Sequence, residues 1–401
     1  MSRLWDKGLP LDQRVLCYTA GEDHILDARL VSYDVRASIA HAEMLLQQGL
    51  LSACDCRAII DGLNELLADF EADKWQIRLE DEDVHTALET HLTERIGEAG
   101  GRVHLGRSRN DQVLTALRLY LLDATEQVTE SVAALCGSLE DLSRQQGETK
   151  LPGTTHMQHA MPSTVALWSD GYIEAFVDAK EGLSGARRRL DKNPLGSAAG
   201  YGTPGLPIDR DATTEKLGFS ETQTPVTAVQ LSRGKAESGL LFELSLLMQD
   251  LGRLASDLLL YYTQEFAYIE LAAEVTTGSS IMPQKRNPDV LELVRGASGT
   301  VQACLNECLL ITNKLTSGFH RDLQRMKAPV FRAIDLTIES VEIMAFLLSK
   351  VRFRPENIKL GRAIYATEEA YKLVTSDGMP FREAYRQVAK RFVNSERGEK
   401  Q

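Results

Sequence analysis

Residues 278–289, with the sequence GSSIMPQKRNPD, have the composition of an oxyanion-binding loop. Backbone N–H groups of a Gly/Ser turn can hold an anion, and the lysine of this segment adds a positive charge. A helix that starts at the Asn-Pro-Asp end contributes its dipole and further N–H donors. Ser279, surrounded by these groups, can hold an alkoxide and act as a base. The alternative is a flexible surface loop that ends in a helix cap.

A second candidate segment, HLGRSRND at 104–111, carries two arginines before a long helical pattern. Arg107, Ser108, Arg109 and Asn110 at a helix start form a carboxylate-binding arrangement, because arginine can hold a carboxylate in a bidentate fork. A salt-bridged helix cap fits the same residues equally well. The spacing alone leaves both interpretations open.

Three further segments carry polar groups. His156, in the turn TTHMQH at 154–159, can serve as acid, base or relay, although a lone histidine is more often structural. The acids of Asp81–Thr86 suit a helix start, and their spacing fits no standard metal site. Residues 318–324 precede another helical pattern, and they either present Arg321, Gln324 and Lys327 to a ligand or form a capped turn.

Composition excludes several classes of function. A net charge of −12 and 6% aromatic residues argue against binding to nucleic acid or anionic membranes, which requires a basic face. The first eight residues lack an apolar run of signal-peptide length, and the most apolar stretch, 240–262, carries four charged residues. The six cysteines lack the spacing of paired metal ligands. We therefore expect a cytoplasmic protein with no metal and no other cofactor.

Five long helical patterns must position these segments. Apolar residues recur every three, four or seven positions from Val113 to Leu142, which predicts a helix from Asn110-Asp111 to about Gly147. Four more helices are expected: after Pro162 to Arg189, about Thr227 to Phe266, from Pro288 with Asn287 as N-cap, and about Leu323 to Lys350. Such helices predict an all-α bundle. Their apolar stripes predict an oligomer.

Three mostly helical domains are expected. Shorter patterns in residues 1–105 predict an N-terminal cap domain, and residues 106–354 form the central bundle. A break at Phe353-Arg354-Pro355 separates a small C-terminal helical segment, 355–401. The glycine-rich connection at about Asn193 to Val226 is predicted as a long loop, which is either functional or a close helix crossing that needs small residues.

Taken in order, HLGRSRNDQ, PGTTHMQ, PLGSAAG, GSSIMPQKRNPD and HRDLQ resemble the argininosuccinate lyases. This family belongs to the fumarase/aspartase superfamily, which includes delta-crystallin. The resemblance covers essentially the whole chain; the serine loop is specific for the superfamily and GRSRND for the family. It implies long central helices that assemble as a twenty-helix bundle in a homotetramer, with each active site built from three chains.

The resemblance also implies an activity and a set of site residues. The activity is that of a carbon–nitrogen lyase in arginine biosynthesis, which splits argininosuccinate reversibly into arginine and fumarate. Ser279 matches the catalytic base, and His156 matches the acid or relay. The implied substrate-binding residues are Arg107, Ser108, Arg109, Asn110, Thr155, Gln158, Lys285, Asn287, Gln324 and Lys327.

Several positions depart from the family pattern. Phe319 and His320 replace the usual tyrosine and asparagine, Thr19-Ala20-Gly21 replaces Asn-Ala-Ser, and Gly234 replaces an acid. The family usually continues with more helix beyond Phe392, so a short or truncated C-terminus is expected. The alternatives are a sister lyase that releases fumarate from another succinyl amine, such as adenylosuccinate, and an inactive crystallin-like structural homologue.

Overall fold

The computed structural model describes residues 12–398, with side chains as far as Arg391. The segment 1–11, in which no signal peptide is expected, lies outside the described residues. Short and medium helices come first, as the sequence predicts. They are α1 (Gln13–Ala20), α2 (Asp23–Leu26), α3 (Val31–Gln47), α4 (Ala53–Glu71), α5 (Val84–Ile96) and α6 (Glu98–Arg102).

Long helices dominate the rest of the chain, which confirms the prediction of a mainly helical fold. They are joined by shorter ones. In order, they are α7 (Arg109–Gln146), α8 (Val165–Leu190), α9 (Arg210–Leu217), α10 (Thr227–Ser232), α11 (Lys235–Tyr262), α12 (Asp289–Thr312), α13 (Lys327–Leu348), α14 (Ala366–Asp377) and α15 (Phe381–Gly398).

The longest helix, α7, ends within a residue of the predicted position. Its 38 residues give a rod of about 57 Å. Of the predicted apolar stripe, every member from Leu117 to Leu142 is buried, whereas Val113 is partly exposed. The three- and four-residue spacing therefore identified the face of α7 that packs.

Three predicted helix boundaries are wrong. The helix expected from about Leu323 begins at Lys327, because Arg321–Met326 form a 3-10 helix. The helix expected from Thr227 to Phe266 is broken into α10 and α11 at Gly234, whose φ of +81° favours glycine. A Cβ there would also lie 2.2 Å from the Thr312 side chain. The helix expected from Pro288 begins at Asp289: the Pro288 carbonyl accepts the first helical N–H, and Asn287 pairs with Thr277 instead of capping.

The structure also contains short strands that the sequence did not predict. β1 (Lys150–Thr155) and β2 (Gln158–Thr164) form an antiparallel hairpin around His156 and Met157. β3 (Lys192–Asn193) pairs in parallel with β4 (Glu221–Thr222), and β5 (Ile269–Leu271) pairs antiparallel with β6 (Val351–Phe353). The connection predicted as a loop from Asn193 to Val226 therefore contains β4 and the helix α9, so this prediction is wrong in part.

Residue contacts divide the chain into two compact units. The first unit comprises the described residues up to Glu130, Lys180–Leu246 and Gly299–Ile338; the second comprises Ser131–Ala179, Leu247–Ser298 and the described residues from Glu339. Core side chains of the first unit include Leu114, Leu121, Leu183, Leu240, Val301 and Phe331. Those of the second include Leu135, Leu139, Phe176, Leu254, Leu291 and Met344. The three-domain division, with boundaries after 105 and 354, stays a prediction.

In the part of the chain that the structure describes, every helix is too short or too polar to cross a membrane. The same residues contain no group of three or more His, Cys, Asp or Glu side chains that could hold a metal ion.

Candidate functional site

The start of α7 is fixed by a reciprocal pair of hydrogen bonds. The Ser108 Oγ accepts from the Asn110 N–H at 3.3 Å, and the Asp111 Oδ1 accepts from the Ser108 N–H at 2.8 Å. This arrangement is a capping box, with aspartate in place of the usual glutamate. The cap interpretation of this segment therefore holds for Ser108, because its hydroxyl is used by the helix.

Asp111 also binds the glycine-rich connection. Its Oδ2 accepts from the backbone N–H groups of Gly196 and Ala198, at 2.9 and 2.8 Å. Burial raises the pKa of Asp111 to about 6. The segment PLGSAAG was expected to be either a functional loop or a structural one. This contact supports a structural function, because the loop anchors the start of α7.

Arg107 is buried and is absent from the lining of the cavity described below. Its guanidinium donates to the Ser38 hydroxyl at 2.9 Å, and burial lowers its pKa. Arg109 and Asn110, by contrast, line a cavity in the first unit. Of the four residues predicted from GRSRND, two reach this cavity.

The cavity has a volume of about 150 Å³. Its lining residues come from five separate stretches of the sequence and include Gln324 and Lys327. The full lining is Asp23, Asp83, His85, Arg109, Asn110, Val113, Arg233, Phe319, Arg321, Gln324 and Lys327.

Three of the four lysine and arginine side chains that line the cavity have carboxylate partners. The Lys327 Nζ lies 3.0 Å from Asp23 and 2.6 Å from Asp27. Arg109 forms a close ion pair with Asp83, and Arg321 lies 3.4 Å from Glu82. Burial raises the pKa of Asp83, but Arg109 and His85 more than offset this and hold it at about 2.

The fourth of these side chains, Arg233, has no carboxylate partner among the described residues. It is buried, and its Nε and Nη1 have no hydrogen-bond partner among the described residues. Its guanidinium carbon lies 5.3 Å from the centre of the Phe319 ring, which is a cation–π contact. Burial lowers the pKa of Arg233, and Glu237 and Asp23 offset part of this. A buried guanidinium with free N–H groups is prepared to receive an anion.

His85 contributes a second polar atom without a partner among the described residues. Its Nδ1 lies 2.8 Å from the Asp34 carboxylate, while its buried Nε2 has no partner in the described residues. Burial lowers the pKa of His85, but the Asp34 carboxylate more than offsets this, so the net pKa is raised. The Nε2 of His85 therefore adds a second polar atom that a ligand can engage at the cavity wall.

Gln324 has a positioning function in addition to lining the cavity. Its amide donates to the carbonyls of Thr19 and Ala20, at 2.9 and 3.1 Å, and accepts from the Arg321 Nε at 3.1 Å. The segment 19–21, where the sequence departs from the family pattern, is therefore held against the cavity wall by this side chain.

In the second unit, His156 sits at the tip of the β1–β2 hairpin. His156 and Met157 have φ values of +54° and +60°, as a two-residue type I′ turn requires, although neither is glycine. Thr155 and Gln158 pair across the base of this turn. All four residues are exposed. The strained turn thus displays the three predicted residues outward from their own chain.

Ser279 lies in the loop that precedes α12. An antiparallel bridge between Thr277 and Asn287 closes this loop, and the Asn287 amide donates to the Gly278 carbonyl at 3.2 Å. The Ser279 Oγ accepts from the backbone N–H groups of Ile281 and Met282, at 3.3 and 3.1 Å. Lys285 is exposed and forms no ion pair with any described residue. Two N–H dipoles aimed at Oγ stabilise negative charge there.

The predicted site residues are therefore divided between the two units. Arg109, Asn110, Gln324 and Lys327 share the cavity of the first unit, whereas His156 and Ser279 lie on separate segments of the second. Sequence reasoning did not assign Asp23, Asp83, His85, Arg233 or Phe319 to the site. A signal was present for each of them. Arg233 precedes the unusual Gly234, Asp23 follows the unusual segment 19–21, Asp83 and His85 belong to the polar segment 81–86, and Phe319 is itself a departure from the family pattern.

Comparison with known proteins identifies the class of enzyme to which the chain belongs. The family model described as Lyase matches residues 15–303. An EDDS lyase variant with bound fumarate superposes with a TM-score of 0.80 at 25% identity, over 97% of this chain and 78% of that one. Class II fumarase from Schistosoma mansoni, at 18% identity and a TM-score of 0.79, covers 96% of this chain and 90% of its own and shares the fold. The family model defines a lyase, and the superposed structures show that the chain shares their fold.

A curated relative narrows the class to one family. Argininosuccinate lyase from Sorangium cellulosum (strain So ce56) is 44% identical over 391 residues, which cover 96% of this chain and 90% of that protein. The chain belongs to the argininosuccinate lyase family.

Proposed function

We propose that the chain catalyses the reversible β-elimination of argininosuccinate to arginine and fumarate. The observation that carries the chemistry is the Ser279 hydroxyl, whose oxygen accepts two backbone N–H groups within the loop. Fixed dipoles that stabilise developing charge usually make the largest contribution to catalysis of this kind.

In the proposed reaction, the Ser279 Oγ takes a proton from the carbon next to a carboxylate. The C–H electrons form the new double bond, the C–N bond breaks, and the leaving guanidino nitrogen takes up a proton. His156, directly or through water, supplies that proton. Lys285 and Asn287 hold the carboxylate on which negative charge develops. The Asn287 amide has a second N–H besides the one that bonds Gly278, and closure of the loop on ligand binding brings this donor to the substrate.

The cavity of the first unit suits the amino-acid end of the substrate. Lys327 faces two carboxylates, Asp23 and Asp27, so this corner has a net negative charge and attracts an ammonium group. Arg233 provides N–H donors for a carboxylate, because its Nε and Nη1 have no partner among the described residues. Asp23 and Arg233 are near enough for their charges to interact. Together they complement a zwitterion.

Completing the site requires other chains. A cavity of about 150 Å³ is small for a whole ligand, since ligand pockets are usually about 300 Å³ or more. His156 and Lys285 are exposed, as are large apolar side chains on the long helices: Leu167, Phe242, Leu293, Leu310 and Phe346. Exposed apolar side chains of this number suit burial between copies of the chain. We therefore propose a cytoplasmic homotetramer with a twenty-helix core and shared sites.

The activity is tested by following the absorbance of fumarate with argininosuccinate and with adenylosuccinate side by side. We expect fumarate from argininosuccinate alone. Release from adenylosuccinate would favour the sister lyase, and no release from either would favour the crystallin-like homologue.

The role of the serine is tested by Ser279→Ala, with Ser280→Ala as the matched control. Loss of a base should lower kcat by about a hundredfold or more, whereas the exposed Ser280 should tolerate the change. Near-normal kcat in Ser279→Ala removes this residue from the chemistry.

The shared site is tested by mixing two inactive variants, Ser279→Ala and His156→Asn, after dissociation. If serine and histidine come from different chains, about a quarter of the sites in random tetramers regain both residues. Activity should climb to roughly a quarter of wild type. If mass measurement verifies that the subunits have remixed and the activity does not rise, the sites are not shared in this way.

A further inference from the structure

The second unit contains a cavity whose residues the elimination does not use. Its volume is about 250 Å³, and it lies between the β1–β2 hairpin and the end of α11. Four aromatic side chains line it: Trp168, Tyr261, Phe266 and Tyr268. Their ring centres follow one another at 6.1, 5.8 and 5.3 Å, so the aromatic wall is continuous.

A single carboxylate, Asp257, also lines this cavity. Its Oδ2 accepts from the Trp168 indole N–H at 3.0 Å and from the Tyr172 hydroxyl at 2.8 Å. Its Oδ1 forms no hydrogen bond, and the carboxylate forms no ion pair, within residues 12–391. The neighbouring Arg253 lies against Asp250 instead, at 3.4 Å. Asp257 is therefore a partly buried negative charge without a cation.

The aromatic wall and the carboxylate together determine which kind of ligand this cavity can bind. An anion would be repelled by Asp257, and a neutral apolar ligand would leave this carboxylate desolvated and unpaired. Ca²⁺ and Mg²⁺ need several oxygen ligands, whereas most of this wall is aromatic. A flat or rounded organic cation satisfies both parts of the cavity, because aromatic rings attract it and the free carboxylate oxygen pairs with it.

We propose that this cavity is a binding site for a small organic cation with a guanidinium or alkylammonium group. The inference is independent of the proposed elimination, since none of Ser279, Lys285 or Asn287 lines the cavity. Met157 and His159 do line it, so the cation lies beside the hairpin that carries His156.

The test uses methylguanidinium as the probe and methylurea as its neutral control of similar shape. The chain has three tryptophans, so Trp5→Phe and Trp75→Phe leave Trp168 as the single tryptophan reporter in the cavity. We expect the Trp168 fluorescence to change saturably with methylguanidinium and not with methylurea. No saturable change, or an equal change with both compounds, overturns the proposal.

Asp257→Asn in the same background tests the carboxylate. An amide carbonyl can still accept from Trp168 and Tyr172, so the packing is preserved while the charge is lost. Removing a charged hydrogen-bond partner should raise Kd about tenfold or more. Asp250→Asn, on the same helix but outside the cavity lining, is the matched control and should leave Kd unchanged.

A second variant tests the aromatic wall independently. Phe266 is 37% exposed, so Phe266→Leu should fold normally. Loss of one aromatic face should raise Kd for methylguanidinium several-fold. Undiminished binding in both Asp257→Asn and Phe266→Leu would place the cation elsewhere on the protein and overturn the assignment.

Discussion

Replacing Lys327 by methionine should destabilise the first unit far more than the loss of an ordinary ion pair. The Lys327 side chain is 4% exposed and its ammonium lies between Asp23 and Asp27, of which Asp27 is fully buried. Lys327→Met retains much of the volume but leaves two carboxylates facing each other without a cation. Removing one partner of a buried pair costs about 3–5 kcal/mol of unfolding free energy.

The size of this loss should depend on pH. Burial raises the pKa of Asp23 to about 6, with Lys327 opposing the rise. Without Lys327 the pKa of Asp23 rises further, so the folded variant takes up a proton near neutral pH that the unfolded chain does not hold. Stability of the variant relative to wild type should then recover by about 1.4 kcal/mol for each unit that the pH falls towards 6.

Urea unfolding at pH 7.5 and pH 6.5 measures both quantities. The matched control is Lys216→Met in the same unit, because Lys216 pairs with Glu43 at 2.7 Å with both side chains partly exposed. This variant should lose about 1 kcal/mol or less at either pH. Equal losses in the two variants, or a loss in Lys327→Met that ignores pH, would refute the electrostatic account of this site.

Three further predictions concern single groups. The pKa of Asp83 is about 2 in the fold against an ordinary 3.8, so its ionised form stabilises the fold above pH 4. Asp83→Asn should therefore lower the free energy of unfolding in urea by about 2 kcal/mol at pH 7. This difference should vanish as the pH falls towards 2. Met157→Gly should stabilise the chain by about 1 kcal/mol, since it relieves a positive φ, whereas Met161→Gly within β2 should destabilise it; thermal unfolding distinguishes the two. Phe319→Tyr adds a hydroxyl at the cavity and should lower KM for argininosuccinate about threefold or more, and an unchanged KM would show that this edge does not contact the substrate.

Helix positions could be predicted because they follow from periodicity along the chain. The stripe of α7 is spaced for one buried face, and the helix ends where that spacing ends. The β1–β2 hairpin could not be found in the same way. Its turn uses two non-glycine residues with positive φ, so the Asn-Gly or Asp-Gly signal of a type I′ turn is absent. The break at Gly234 is marked by a glycine, but the close approach of Thr312 is visible only in the fold.

The predicted site residues differ in how much of their role was visible in the sequence. The loop around Ser279 was identified from its own residues, because a Gly/Ser turn, a lysine and a helix start lie within one short segment. The cavity of the first unit was identified only in part. Asp23, His85 and Arg233 lie far apart in the sequence and meet only after folding. Which of their polar atoms have hydrogen-bond partners, and which have none, depends on how the chain packs.

The hydrogen-bond partners of each polar side chain distinguish residues that support the structure of the site from residues that can bind a ligand. Buried polar groups in folded proteins are nearly always hydrogen-bonded, so an unpaired one needs an explanation. Ser108 and Gln324 have their polar atoms occupied by backbone groups and by Arg321, which makes them supports for the segments they touch. Arg233 is buried with unused donors, at an energetic cost that a bound carboxylate would remove. Arg233 was not assigned to the site by the sequence motifs, whereas Ser108 was. Because only Arg233 has unused donors, it should contact the substrate more directly than Ser108.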